Sequence, residues 1–452
     1  MSDLAALPSI RTLLQRGAHI YTVGGTVRDA LLGRPCKDVD ILVTGVPQQT
    51  LIHILRRDGR VQLAGRAFGV IKFLPRRWDG PPIDVALPRT EVSTGIGHRD
   101  FEVAFDHTLP VEVDLGRRDF TINAMALDLA DDHLVDPFNG REDLAQRILR
   151  QVSPAAFPED PLRMLRGVQL ATRFDLYVAA DTRDAMRAHA ASIATVAQER
   201  IAEELRKLFM ARSPSHGFLL MQEVGLLAHV LPEIARLGEV SPDTFARTIR
   251  RLDALKQYAV LLYRDHIDMM LAALMQDCGL LDALQHPPVT PQRIAACSAR
   301  LAQQRLEVLR VSMIGAQLSL IGILVTHSAF EIDALSSGPG LRHFAHQVGP
   351  DAAFMLFDLR LADHLGRAHA EPINDLLTLR ERLRAELERQ VPLNIKDLAV
   401  NGRDLRRLGV EPGPRMGQIL RALLNCVLND PSCNSRDHLF EIVQAKFTDA
   451  LS

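Results

Sequence analysis

Two acidic residues two positions apart, Asp38 and Asp40, lead into the apolar run Ile41 to Val43. Alternate side chains of a strand share a face, so these two carboxylates can converge on a hard divalent cation, and an all-oxygen ligand set suits magnesium. Asp84, in the run IDVALPR, also reads as a strand residue and is the candidate third carboxylate of a two-metal site. Taken alone, an Asp-x-Asp pair is more often a solvated strand edge. Upstream stands Gly24-Gly25-Thr26-Val27-Arg28-Asp29, after one strand-like run and at the opening of a helical one. Glycines let backbone N–H groups approach an anion, a helix N-terminus adds favourable polarity, and Arg28 can supply charge-assisted bonds to phosphate. The same turn could serve backbone geometry alone. A phosphate turn followed closely by cation-binding carboxylates says more than either does separately.

Such residues need a sheet to position them. From His19 to about Asp136 the apolar residues fall into short runs, HIYTVGG, VDILVTG, VQLAG, VIKFL, IDVAL and MALDL, with helical stretches between several of them. After Asp143 the spacing changes to threes and fours, as in EDPLRMLRGVQLATRF and ERIAEELRKLFMARS, and stays so to the C-terminus. The expected class is α+β: a mixed α/β head, a β-sheet with flanking helices, followed by an all-α remainder. Candidate joints lie near Gly238 to Pro242, at His286 to Gln292 and at Ser336 to Pro339.

With 452 residues the chain exceeds the roughly 250 to 300 at which a single core stops growing, so several domains are expected. A formal net charge of −2 argues against holding nucleic acid by overall charge, and any RNA site must be regional. The five cysteines, Cys36, Cys278, Cys297, Cys426 and Cys433, are scattered without the CxxC spacing of a zinc site, which fits a reducing cytoplasm. The N-terminal segment lacks the order of a signal peptide, and no run of about 18 apolar residues follows, so no membrane association is expected.

The segment GGTVRDALLGRPCKDVDILVTG resembles the signature of the nucleotidyltransferase branch that contains class II tRNA nucleotidyltransferases (CCA-adding enzymes) and bacterial poly(A) polymerases. Further matches follow in the family's order. Arg117 to Ala126 (RRDFTINAMA) is similar to the motif that handles the ribose and phosphates of the incoming nucleotide, and Asp136 to Gly140 with Asp143-Leu144 resembles the junction of head and neck. Glu159 to Arg166 (EDPLRMLR) resembles the nucleotide-selecting helix, and Glu199 to Leu205 the helix packed behind it. The resemblance implies a magnesium-dependent enzyme that adds C and A to the 3′ end of tRNA from CTP and ATP. Asp38 and Asp40 would hold magnesium, with Asp84 as a further catalytic carboxylate. Gly24, Gly25, Arg28 and Arg118 would orient the triphosphate, and Asp119 and Asn123 the ribose. It further implies a catalytic head at residues 1–142, a helical neck at 143–238, a helical body at 239–375 and a helical tail at 376–452. No obligate protein partner is implied.

The selecting helix can also be read chemically. Pro161 suits a first helical turn and Asp160 can cap it, while Asp160 and Arg163 lie three apart on one face. A carboxylate only accepts and a guanidinium only donates. Cytosine and adenine each present an amino donor beside a ring-nitrogen acceptor, whereas uracil and guanine present a carbonyl beside an N–H. An Asp/Arg pair therefore favours C and A, since a mismatch leaves polar groups unsatisfied at about 1 to 3 kcal/mol each. Arg166, one turn on, could reach the triphosphate or the base. An ordinary N-cap with a surface ion pair is the competing reading.

Three other segments matter. The stretch between Asp84 and Arg117 resembles the flexible loop that family members adding the terminal adenosine retain, with Arg89 near its start. AALMQDCGLLDAL resembles the HDxGK segment of HD phosphohydrolase domains. Gln276 stands at its histidine position and Leu280 at its lysine position, Asp277 and Gly279 are kept, and Asp363 is a candidate last carboxylate; a helical scaffold is the expected role. Near the end, VNGRDL and GVEPGPRMG resemble the tail of long-form CCA-adding enzymes, where Lys396, Arg403, Arg406, Arg407, Arg415 and Arg421 make a locally basic region suited to an RNA backbone or to solvent. A poly(A) polymerase, an A-adding specialist and an RNA-binding protein with a relic head are the rival functions.

Overall fold

The computed structural model describes residues 2–35, 38–64, 70–93, 101–258, 260–263, 265–367 and 373–447. Two units divide the chain, Met1–Pro232 and Glu233–Ser452.

In the first unit the short alternating runs become β1 (His19–Val23), β2 (Val39–Thr44), β3 (Gly59–Ala64), β4 (Val70–Pro75), β5 (Ile83–Ala86), β6 (Arg89–Ser93), β7 (Phe101–Phe105), β8 (Ala126–Asp128) and β9 (Leu134–Val135). Seven of them form one sheet in the order β3-β4-β5-β2-β1-β8-β9. Strands β2 and β5 pair in parallel, and their other neighbours are antiparallel. Strands β6 and β7 pair separately. Residues 94–100, the centre of the segment expected to resemble the family's loop, lie outside the described residues, while Arg89 opens β6.

One face of the sheet carries Ile20, Ile41, Val43, Ile71, Phe73, Ile83 and Val85. They pack with Ile10 and Leu13 of α1 (Pro8–Gln15), and, beyond the intervening α2 (Gly25–Leu31), with Leu51, Ile54 and Leu55 of α3 (Gln48–Asp58). On the other face Leu42 and Ala126 pack with Val111 and Leu115 of α4 (Val111–Gly116). Alternation along β2 places Asp40 on the Leu42 side. Each buried aliphatic side chain contributes about 1.5 to 3 kcal/mol, so the core pins the register of β2: a slip by one residue would turn Asp40 into the apolar face.

The helical half of this unit includes α5 (Leu162–Phe174) and α6 (Gln198–Phe209). Helix α5 buries Leu162, Met164, Leu165, Val168 and Leu170 on the three-and-four spacing seen in the sequence. It stops at Asp175, whose left-handed φ of 55° ends the helical path.

Among the described residues of the second unit the named elements are all helical; those that bear on function are α7 (Pro242–Gln257), α8 (Ile267–Met275), α9 (Pro350–Leu365), α10 (Gly402–Arg407) and α11 (Pro414–Asn429). The expected joint at SSGPG is a helix start, where the Ser337 hydroxyl accepts from the Gly340 N–H. No helix among the described residues is long and apolar enough to cross a membrane.

Candidate active site

Gly24 has φ of 66° and ψ of −129°, a conformation open to glycine, and its N–H donates to the Met125 carbonyl. A Cβ here would lie 2.5 Å from Arg118 Nη1, so the backbone angle calls for glycine and any side chain would also push the Arg118 guanidinium aside. Helix α2 starts at the next residue. The Thr26 hydroxyl then joins the turn to the carboxylates: it donates to the Asp38 carbonyl at 3.2 Å and accepts from the Asp40 N–H at 3.1 Å.

Asp40 lies in register with Asp84 on β5, and Asp84 with Lys72 on β4, so the three side chains form a row on one face. Asp38 sits just before β2 and is exposed. Asp40 is held above the usual carboxylate pKa by burial, opposed by Arg118 and reinforced by Asp84 and Asp38. Its carboxylate makes no hydrogen bond among the described residues. This surplus of negative charge at a partly buried carboxylate is what a divalent cation relieves, so Asp38 and Asp40 fit the metal site expected of them. Asp84 is engaged differently, with both oxygens taken by Lys72 Nζ at 3.1 and 3.3 Å. Among the described residues no group of three or more His, Cys, Asp or Glu side chains is arranged to hold a metal ion.

A second layer holds the arginines. Asp114 is fully buried and accepts from Arg117 Nε at 2.9 Å and from Arg118 Nη2 at 3.1 Å. Burial would push its carboxyl up, but Arg118 and Arg117 outweigh it and hold it below the ordinary range. From there a continuous chain runs across the site. Arg28 donates to Asn123 Oδ1 at 2.7 Å, Asn123 Nδ2 to Asp119 Oδ1 at 3.0 Å, and Arg166 Nη1 to Asp119 Oδ2 at 3.2 Å. Arg166 also faces buried Glu204 of α6 at 3.7 Å. Asp119 lies below its usual pKa although burial opposes this, because Arg166 and the Asn123 amide favour the anion. Asp119 and Asn123 are thus already bonded to neighbours.

Just before α5, whose N-cap position is Pro161 and not Asp160, Asp160 accepts from the Leu162 N–H at 3.2 Å and from Arg200 Nη2 of α6 at 2.8 Å. Arg163 is buried and donates to the Ala156 carbonyl at 3.3 Å, Glu159 Oε2 at 3.2 Å and the Arg117 carbonyl at 2.8 Å. Instead of pairing with one another, the two side chains are each braced by other groups. Asp160 sits in a part-exposed ion pair with Arg200, as the competing reading allows, while Arg163 is buried against two carbonyls and Glu159.

Thr26, Arg200 and Glu204 stand inside the motifs read from sequence without a role of their own, and Lys72 and Asp114 were not singled out at all. Only Asp114 left a local signal, since it lies three and four residues before Arg117 and Arg118 on a helical stretch. The others depend on strand register or on helix packing.

In the second unit Asp277 and Asp363 do converge, but on a guanidinium. Arg251 of α7, fully buried, donates to Asp277 Oδ2 at 2.7 Å, to Asp363 Oδ1 at 2.5 Å and to the Ala273 carbonyl at 2.8 Å. Burial opposes charge on all three groups, yet the attraction between them holds both carboxyls below and the guanidinium above their ordinary pKa values. With Gln276 at the histidine position, these carboxylates hold a buried guanidinium that braces three helices.

The tail residues Lys396, Arg403, Arg406, Arg407, Arg415 and Arg421 are all exposed. Arg407 lies 3.8 Å from Asp404, which Arg436 also meets at 2.7 Å, and Arg415 stacks over Phe447.

Three family descriptions match separate parts of the chain. The Poly A polymerase head domain matches residues 20–150, the "Probable RNA and SrmB- binding site of polymerase A" matches 175–237, and a tRNA nucleotidyltransferase domain matches 359–443. A protein of Dechloromonas aromatica named Multifunctional CCA protein is 39% identical over 308 residues, covering 65% of this chain and 70% of that protein. A protein of the same name from Laribacter hongkongensis is 42% identical over 222 residues, 49% of this chain and 52% of that protein. The crystal structure of the Bacillus stearothermophilus CCA-adding enzyme in complex with CTP matches with a TM-score of 0.71 at 26% identity, covering 99% of this chain and 98% of that one.

Proposed function

The chain belongs to the CCA-adding tRNA nucleotidyltransferase family, and on that premise we propose that it adds C and A to the 3′ end of tRNA without a nucleic-acid template, using CTP and ATP and releasing pyrophosphate. The observation that carries this reading is the Thr26 hydroxyl bonded to Asp38 and Asp40, which holds the glycine turn and the carboxylate pair in one rigid unit.

Asp38 and Asp40 would hold magnesium. Bound there, the ion would supply charge neutralisation at the α-phosphate and acidify the attacking 3′-hydroxyl. Everything else falls to the chain. Gly24 and Gly25 admit the triphosphate close to the backbone, and Arg28 and Arg118 bind its oxygens, held in place by Asn123 and Asp114. Asp119 and Asn123 position Arg166 and Arg28 and offer their remaining polar valences to the ribose. Asp160 and Arg163 read the base, each fixed by a brace of its own, which favours C and A over U and G. Asp84 borders Asp40 and becomes available to the reaction when its pair with Lys72 opens. In domain terms, residues 1–142 act as catalytic head, 143–238 as neck with the selecting helix, 239–375 as scaffold body and 376–452 as tail. Lys396, Arg403, Arg406, Arg407 and Arg415 there meet the tRNA backbone. This work would take place in the cytoplasm.

A polymerase that adds only A is a second reading, favoured by the head-domain match. The test offers purified protein magnesium, one labelled nucleotide at a time, and tRNA ending before CCA, before CA or before A, beside an unrelated RNA. Ordered addition of C, C and A is expected; long A tracts on any RNA would establish the second reading. The Asp40→Ala variant should keep its circular dichroism and melting point and lose transfer, and an active variant would refute the metal assignment.

A further inference from the structure

Phe174, the last residue of α5, gathers three guanidiniums around one ring. Arg28 Cζ lies 4.3 Å from the ring centroid, Arg34 Cζ 4.7 Å and Arg173 Cζ 5.4 Å. Only Arg28 is ion-paired, to Asp29 at 2.8 Å. Arg173 donates to neutral Gln169 at 3.1 Å, and among the described residues the Arg34 side chain has no hydrogen bond or ion pair. Arg34 and Arg173 are exposed, whereas Arg28 is buried. Partial burial and repulsion from Arg28 hold Arg173 below its ordinary pKa.

Three cations share one aromatic ring, and Asp29 and Glu204 offset their mutual repulsion only in part, since Arg173 stays below its ordinary pKa, so a further anion would be stabilised among them. A guanidinium is a planar fork of N–H donors matched to phosphate oxygens, and stacking on a ring fixes that plane while leaving the N–H edges open. Position narrows the ligand further. Arg173 follows Arg163 by ten residues, about 15 Å along the helix, so the cluster lies well away from the residues proposed to read the base. Arg28 belongs both to this cluster and to the phosphate turn.

We propose that Arg34 and Arg173 join Arg28 in a phosphate-binding site, filled by the distal phosphates of the incoming triphosphate or by a backbone phosphate of the RNA strand. This deepens, and rests on, the reading of the chain as a nucleotidyltransferase acting on RNA. Phe174 is its positioning residue, holding the guanidinium planes against mutual repulsion.

The test uses the full chain with Arg34→Gln, Arg173→Gln and the double variant, all changes at exposed side chains, with folding checked by circular dichroism and melting. One arm titrates inorganic tripolyphosphate by calorimetry; the other measures binding of a tRNA lacking its CCA end against salt. The double variant should bind one of these probes roughly tenfold more weakly. A loss confined to tripolyphosphate assigns the site to the nucleotide. A loss confined to tRNA, with the log–log salt slope reduced by about 1 for every phosphate no longer neutralised, assigns it to the RNA strand. Arg34→Lys with Arg173→Lys, which keeps both charges, should recover most of the lost affinity. If the wild type transfers C and A and binds both probes while the double Gln variant binds them equally well, the site does not exist. A wild type that transfers neither nucleotide would instead sink the parent reading.

Discussion

Replacing Gly24 by Ala separates two demands that one residue meets. The backbone demand is a φ of 66°, which an L side chain adopts at a cost of about 1 to 3 kcal/mol. The steric demand is the added Cβ, 2.5 Å from Arg118 Nη1 where ordinary van der Waals separation begins at 3.4 Å, so the guanidinium must move by 3.4 − 2.5 = 0.9 Å. That guanidinium is bonded to Asp114 at 3.1 Å and has little slack. Misplacing a positioning group by such a distance costs on the order of 10²-fold in rate, or about 2.7 kcal/mol of transition-state stabilisation. Single-turnover incorporation of C onto a trimmed tRNA, with saturating CTP and magnesium, reads the rate; urea unfolding of the same samples reads stability. The Gly24→Ala variant should lose both, the rate by more than the fraction unfolded explains. A variant that is less stable yet transfers C within twofold of the wild-type rate would refute the role given to Arg118, and with it the idea that the turn exists to let that arginine approach.

Three further outcomes are expected. Arg200→Gln removes the 2.8 Å brace on Asp160, and uptake of UTP relative to CTP should rise by up to about fivefold, the factor that a part-exposed ion pair of about 1 kcal/mol can supply; a slower enzyme with an unchanged UTP/CTP ratio would leave Arg200 a merely structural role. Arg251→Met removes the fully buried cation that Asp277 and Asp363 share, leaving them the less buried Arg247 and Arg367, and should cost on the order of 3 kcal/mol of stability at neutral pH in urea titrations. Because both carboxyls lie below their ordinary pKa, their contribution is complete above the unfolded value of about 3.9 and is lost as pH falls through the folded one, so the gap from wild type should narrow in acid; a gap that stays constant would contradict the pairing. Arg403→Gln with Arg406→Gln should weaken tRNA binding and lower its salt slope by about 1 for each phosphate that these side chains neutralise, and a slope that does not change would remove them from the RNA surface.

What could be read in advance was whatever local periodicity encodes. Strand runs of alternating apolar residues located the sheet, and the same alternation put Asp40 on the face of Leu42, while Asp38 falls one residue before the strand. Helix α5 and its start beside Pro161 followed from that proline and the three-and-four spacing, although the N-cap position is Pro161 and not Asp160. Partners across the sheet were not legible: Lys72 meets Asp84 because β4 and β5 pair in one antiparallel register, which no short window specifies. Thr26 is ordinary in sequence and becomes a clasp only when α2 packs beside β2. Most remote was Arg251, whose bond to Asp363 spans 112 residues. Gln276 hinted that the hydrolase-like centre had changed, but not what had taken its place.

That substitution changes what the second unit depends on. A positive charge delivered by a side chain cannot be leached by a chelator, starved by scarcity or exchanged for a wrong ion, so the core around Asp277 and Asp363 is indifferent to the ionic supply. Treatment with EDTA should therefore silence the Asp38–Asp40 centre while the melting of the Glu233–Ser452 unit stays where it was, which makes catalysis and architecture separable by a single reagent.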